Sequence, residues 1–289
     1  MLSVSKGLPI AKIIGGAHNG EFVHIHTEER KPKQICCKRH NKRCLKRGCC
    51  EYCPFYYEED NGSEEDDIGK EVKINDGIIE QIPNLETREC CYYAGPSGAG
   101  KSTLMAKYAK KYIKLFPDKE VYLFSNKDKD PVFDEIKPPI IRFPVNESLI
   151  DNPIDVNKEL KQGGLIIFDD CNTFTDKKLK KAISGLMNQI LEIGRSLGIY
   201  CLISSHLINQ ANREDNKTIF NEAHTVTLFC KTGNKYSRDY ALQKYLGFGK
   251  KEINKIVNLP SRWVTIGKNY PEYVIHSHAN IYCQFYKIM

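Results

Sequence analysis

The 289-residue chain predicts an α/β fold in which a mostly parallel sheet is flanked by helices and carries a small N-terminal appendage. Three observations carry that expectation. From residue 89 onward, short apolar runs alternate with helical stretches, the pattern of right-handed crossovers onto a parallel sheet. Residues 95–102 read GPSGAGKS, directly after the apolar run CCYYA and directly before an amphipathic stretch. Residues 165–170 read LIIFDD, a buried-strand pattern that ends in two carboxylates.

The first element is a hairpin. Short apolar-alternating runs flank Asn19-Gly20 within residues 10–27, and that dipeptide suits a type I′ turn, which takes positive φ at both central residues. Residues 28–47 then hold nine basic and two acidic side chains, and six of the twelve cysteines fall within 36–53. The sign reverses at Glu58, Glu59, Asp60, Glu64, Glu65, Asp66 and Asp67. Such a block repels itself and has little to bury, which predicts a linker. The expected organisation is a hairpin with a Cys-rich basic segment over 1–57, an acidic linker over 58–87 and an α/β core over 88–289.

Within the core, strands are expected at Cys90–Ala94, Val121–Ser125, Ile140–Phe143, Leu165–Asp169, Tyr200–Ser204 and Thr225–Cys230. Their nearly continuous apolar runs fit strands covered on both faces. Helices are expected over 101–116, 155–162, 176–196, 237–247 and 250–257. Trp263–Lys268 and Tyr273–His278 predict an antiparallel pair at a sheet edge.

Composition excludes several function classes. No run of AVILMFWYC residues exceeds five, too short for a transmembrane helix. The first twenty residues lack an apolar signal-peptide region, so secretion is not expected. The twelve cysteines then read as reduced thiols rather than a disulfide framework. The formal charge of +7 points mildly to an acidic partner.

GPSGAGKS fits G-x-x-x-x-G-K-[ST] at every fixed position, and a strand–loop–helix setting confirms such a phosphate-binding loop. Gly95, Gly98 and Gly100 let the backbone approach the phosphates, and the loop they form with Pro96, Ser97 and Ala99 is expected to bind the nucleotide through its N–H groups. Lys101 is assigned to the β- and γ-phosphates, Ser102 to Mg²⁺, and Thr103 to a phosphate. ATP with Mg²⁺ is the expected cofactor. In LIIFDD, Asp169 is the Walker B acid for Mg²⁺ and Asp170 the carboxylate that polarises the attacking water. At the end of the next strand, Ser205 or His206 is placed to sense the γ-phosphate, with a helix N-cap as the plainer reading.

With GPSGAGKS, LIIFDD, GRSLGIYCLISSH and HTVTLF in this order, residues 88–280 resemble the genome-packaging ATPases of large DNA viruses, of the FtsK/HerA class of P-loop motors. That resemblance implies a P-loop NTPase core with an additional strand between the two nucleotide-binding strands, with Val121–Ser125 and Ile140–Phe143 as the intervening segments. It implies a ring, pentamer or hexamer, in which an arginine of one copy reaches the neighbour's nucleotide. Arg195 occupies the matching Gly-Arg position and Arg213 is the second choice; the alternative for Arg195 is a cation complementing a helix C-terminus. Double-stranded DNA and a capsid or portal protein are the implied partners, and host cytoplasm or virion the implied location.

The cluster CCKRHNKRCLKRGCCEYC has chelating spacing at Cys37/His40 and Cys50/Cys53, with Cys36 or Cys44 equally open. Four soft ligands suit tetrahedral zinc, and the interleaved cations suit phosphate backbones. The competing reading is a thiol-rich arm without metal. The function expected overall is an ATP-driven DNA translocase. The alternatives are a small-molecule or nucleotide kinase and a nucleotide-binding nucleic-acid scaffold.

Overall fold

The computed structural model describes residues 2–4, 7–25, 71–73, 76–171, 176–206, 214–269, 272–277 and 280–283. The candidate zinc ligands Cys37, His40, Cys50 and Cys53, and Arg213, lie outside the described residues.

Among the described residues, fourteen strands form two sheets. The smaller holds β1 (Leu2–Ser3), β2 (Leu8–Ile14), β3 (Phe22–Ile25) and β5 (Ile78–Gln81), in the order β1-β3-β2-β5. The larger comprises β4 (Glu71–Lys73), β6 (Cys90–Ala94), β7 (Val121–Ser125), β8 (Ile141–Pro144), β9 (Leu165–Asp169), β10 (Tyr200–Ser205), β11 (Thr225–Leu228), β12 (Val264–Gly267), β13 (Tyr273–His276) and β14 (Asn280–Cys283). Its order is β4-β14-β13-β12-β11-β6-β10-β9-β7-β8. The run from β11 to β8 is parallel throughout, and β12, β13, β14 and β4 extend it antiparallel.

The central strands are apolar at every position because both faces are covered. On β6, Cys90, Tyr92 and Ala94 enter one core while Cys91 and Tyr93 enter the other. The first core is closed by α5 (Lys177–Ile193), α6 (Glu214–Glu222) and α8 (Lys250–Asn258) through Ile183, Ile190, Phe220 and Ile253. The second is closed by α1 (Lys101–Leu115) and α2 (Pro131–Asp134) through Met105, Tyr108, Ala109, Tyr112 and Phe133. Burial of the Ile, Phe and Met side chains among these contributes about 1.5–3 kcal/mol each. Asp176 caps α5, accepting from Lys178 N and Leu179 N, as a short acceptor side chain does at an N-cap. No helix among the described residues is long and apolar enough to cross a membrane.

The strand order gives the P-loop fold its extra strand, but not the expected one. The strand between β6 and β9 is β10; Val121–Ser125 and Ile140–Phe143 become β7 and β8, beyond β9. The pair β12–β13 is antiparallel as expected but does not form the edge, because β14 and β4 lie outside it. Strand β4 comes from the expected linker of residues 58–87, as does β5. That segment therefore stitches the two sheets together, with β4 in the large one and β5 in the small one.

Helical expectations shorten in places. The 155–162 stretch is one turn, α4 (Val156–Glu159), preceded by α3 (Ser148–Asp151). The 237–247 stretch is α7 (Lys235–Tyr240) running into a π-turn, Ala241–Tyr245. The N-terminal hairpin forms, but β2 and β3 are joined by a longer loop. Asn19 accepts Gly15 N through its side chain at 2.8 Å, and the positive φ angles belong to Gly15, Gly16 and Gly20. Asn19 acts as a side-chain acceptor rather than the first residue of a type I′ turn.

The small sheet is fastened to the P-loop helix. Glu80 of β5 meets Lys107 and Lys111 of α1, each at 2.8 Å, and Lys111 Nζ also donates to Gln81 O at 2.9 Å. The apolar face of the sheet, Ile10, Ala11, Ile13, Val23 and Ile79, packs with Ala99, Phe229, Trp263 and Ile275.

Candidate nucleotide-binding site

The loop of residues 95–100 leaves β6 at the carboxyl edge of the parallel strands, where ligands bind in open α/β sheets. Its glycines are needed for two different reasons. A Cβ on Gly95 would sit 2.8 Å from the Phe229 ring, so that residue is fixed by packing rather than by room for phosphate. Gly100 has φ +107° and caps α1, a conformation side chains strain to adopt. The methyl of Ala99 is buried among the apolar residues beneath, and its N–H donates to Pro96 O at 3.2 Å within the loop. Thr103 is exposed on the first turn of α1.

Lys101 is only 4% exposed. Its Nζ donates to Gly95 O at 3.0 Å and Pro96 O at 3.2 Å and stands 3.8 Å from Asp170 Oδ1. Burial lowers its pKa, and the charges of Asp170 and Asp169 act the other way. His206 Nδ1 lies 3.3 Å from the same Nζ. An ammonium only donates, so Nδ1 accepts, which places the ring proton on Nε2, 3.1 Å from Asp170 Oδ2. His206 thus joins the P-loop lysine to the second acid.

Asp169 is fully buried at the end of β9. Its carboxylate accepts from Ser102 Oγ at 3.2 and 3.1 Å and from Ser204 Oγ at 2.8 Å. Burial raises its pKa, and the neighbouring Asp170 adds to the rise, while Ser204 and Ser102 oppose it. Asp170 has φ +54°, the one non-glycine with positive φ among the described residues. Its N–H donates to Ser204 Oγ at 2.9 Å, which holds that left-handed turn, a kind of strain concentrated at functional sites.

Among the described residues no three His, Cys, Asp or Glu side chains gather around one point. The convergence of the Ser102 hydroxyl on the Asp169 carboxylate nevertheless fits Mg²⁺, which takes one or two protein oxygens and fills its shell with phosphates and water.

The structure brings Lys101, Ser102, Asp169, Asp170 and His206 together and leaves two expected residues elsewhere. Ser205 is buried with its hydroxyl bonded to Tyr92, so the serine that touches both acids is Ser204. Arg195 is exposed after α5, at the edge where the parallel strands begin. A five-residue strand, about 16 Å, separates that edge from the loop after Ala94. Its charge falls on His224, whose pKa is lowered to about 4 by burial first and then by Arg88, Lys268 and Arg195.

The sequence places Ser204 at the strand end in ISSH beside Ser205 and His206 but assigns it no role, and it carries no signal for Lys127 or Arg262. Lys127, after β7, pairs with Asp130 at 3.1 Å, and its charge opposes the rise at Asp169. Arg262 Nη2 donates to Gly98 O at 2.7 Å. Ser204 stands one step beyond the Ile203–Phe168 pair of the β10–β9 register, level with Asp169. Strand parity would have found it once the pairing was known.

No protein-family model matches the chain. Among solved structures, the genome packaging NTPase B204 of Sulfolobus turreted icosahedral virus 2, in complex with ATP-gammaS, aligns over 70% of this chain and 98% of its own, with 13% identity and a TM-score of 0.42. The pCW3 conjugation coupling protein TcpA aligns over 93% and 77%, with 12% identity and a TM-score of 0.46. In sequence, the Sputnik virophage protein named "Uncharacterized protein V3" is 38% identical over 218 residues, which cover 75% of this chain and 86% of V3. The chain therefore belongs to the family of Sputnik virophage V3.

Proposed function

We propose that the chain is an ATP-hydrolysing, ring-forming motor that moves double-stranded DNA in viral genome packaging, working in the host cytoplasm or the virion with a capsid or portal protein. The observation that carries the reading is the meeting of Lys101, Ser102, Asp169 and Asp170 at one strand edge, with β10 inserted between the two nucleotide-binding strands. Kinship with a virophage protein and the resemblance of GPSGAGKS, LIIFDD and GRSLGIYCLISSH to packaging ATPases support the same reading.

In this account the loop N–H groups and Lys101 hold the phosphates, and Ser102 and Asp169 would hold Mg²⁺. When bound, Mg²⁺ would supply charge neutralisation to the phosphates. Asp170 orients the attacking water and takes its proton, while His206 at 3.1 Å and the Ser204 hydroxyl, donating at 3.2 Å, fix the carboxylate's direction. Arg195 cannot serve its own site from the opposite edge, so it serves the next copy's. The Cys-rich segment would supply a phosphate-binding surface, with Cys37, His40, Cys50 and Cys53, or Cys36 or Cys44 in the place of one of them, as the ligands that would hold zinc.

The test is ATP hydrolysis with and without duplex DNA. DNA should stimulate turnover, and Lys101→Ala should lower it about 10²–10³-fold. A hydrolysis rate indifferent to DNA contradicts translocation, and phosphate transfer to a nucleotide or small-molecule acceptor would indicate a kinase.

A further inference from the structure

We propose that Arg262 forms the nucleoside wall of this site, its guanidinium lying flat on the base of the bound nucleotide. The proposal rests on reading the P-loop as a nucleotide site and names the residue that grips the other end of the ligand.

The sheet order fixes the direction in which a nucleotide must run. On one side of β6 stand β10 and β9, with Ser204, His206, Asp169 and Asp170 at their ends; on the other stand β11 and β12. Terminal phosphates drawn to Lys101 and Asp169 leave the nucleoside pointing toward β11 and β12. There the turn after β11 closes on the loop, with Gly233 placed so that a Cβ would be 3.4 Å from Pro96 Cδ.

Arg262 enters from the start of β12, which pairs with the end of β11 through Leu228–Val264. It is exposed, yet its neighbours Ser261 and Trp263 are 4% and 9% exposed. Ser261 Oγ accepts from Trp263 N and Ser277 N at 3.3 and 3.1 Å, and Trp263 packs in the core that holds Ala99. The backbone carrying Arg262 is therefore pinned on both sides, and Nη2 is tied to Gly98 O at 2.7 Å across 164 residues.

A guanidinium fixed by one N–H keeps its other donors and both planar faces. Those faces stack on aromatic rings, and a lysine ammonium at the same place has no such plane.

The experiment titrates ADP and inorganic pyrophosphate into wild type, Arg262→Ala and Arg262→Lys. Both variants should lose about tenfold in ADP affinity, the scale of a desolvated cation–π contact, and keep pyrophosphate affinity within about twofold. Retained pyrophosphate binding also reports an intact loop. Unchanged ADP affinity overturns the proposal, and so does an equal loss for both ligands, which would make Arg262 a prop for the loop. Wild-type protein that binds neither ligand would instead remove the nucleotide reading on which the proposal stands.

Discussion

Ser102 Oγ lies 3.1 Å from Asp169 Oδ2, so a hydroxyl that opens α1 and a carboxylate that ends β9, 67 residues later, face the same point. Everything else at the site is arranged around that convergence. Ser204 holds Asp169 from the adjacent strand, and Asp170 turns back toward Lys101 and His206.

The buried carboxylate has a stability signature. Its folded pKa is raised above the ordinary 3.8 by burial, then by Asp170. A group raised in this way contributes its full stability only below the unfolded pKa and loses it as pH climbs through the folded value. Without Mg²⁺, Asp169→Asn should therefore melt higher than wild type near pH 7, and the gain should disappear below pH 3.8. The same variant should lose about 10²–10³-fold in hydrolysis. Thermal melts across pH check it; a variant that melts no higher at pH 7 contradicts the assignment.

Ser204 predicts a different pattern. Its hydroxyl opposes the rise at Asp169 and accepts the Asp170 N–H. Ser204→Ala should cost about 1 kcal/mol of stability and shift the acid limb of the pH–rate profile to higher pH, because the ionised carboxylate loses a donor. Ser205→Ala, whose hydroxyl faces Tyr92, should leave that limb in place. An equal shift from both variants would contradict the division of roles.

Much of this site was legible locally because its chemistry is contiguous. GPSGAGKS and LIIFDD each specify a loop and a strand end within eight residues. The order of strands was not legible, because a strand buried on both faces reads as an apolar run whichever neighbour it has. Tyr200–Ser205 and Val121–Ser125 look alike in that respect, yet one lies inside β9 and the other outside it. Glu71–Lys73 has too few residues to show a period, and it forms an edge only because β14 is there to pair with it. Arg262 carries no local signal at all, since its partner is 164 residues away.

The link between the small sheet and the P-loop helix is also testable. Burial acts to raise the pKa of Glu80, but Lys107 and Lys111 overcome it and leave the value lowered. A depressed carboxyl contributes stability above its unfolded pKa and loses it as pH falls through the folded value. Glu80→Gln should therefore cost about 1 kcal/mol near neutral pH, with the difference closing below the ordinary 4.5. A denaturant titration at pH 7 and pH 3 measures it; an equal deficit at both would mean the ion pairs contribute nothing.

In the proposed motor, ATP is cleaved between copies, with Arg195 completing the neighbour's site. The most direct measurement mixes two inactive variants, Lys101→Ala and Arg195→Ala. Each alone should lose about 10²–10³-fold or more in hydrolysis, with Arg195→Ala still binding nucleotide. Mixed, the Lys101→Ala copies supply Arg195 to the intact loops of their neighbours, and activity should return in proportion to mixed interfaces. A mixture no more active than the sum of its parts would rule out cleavage between copies.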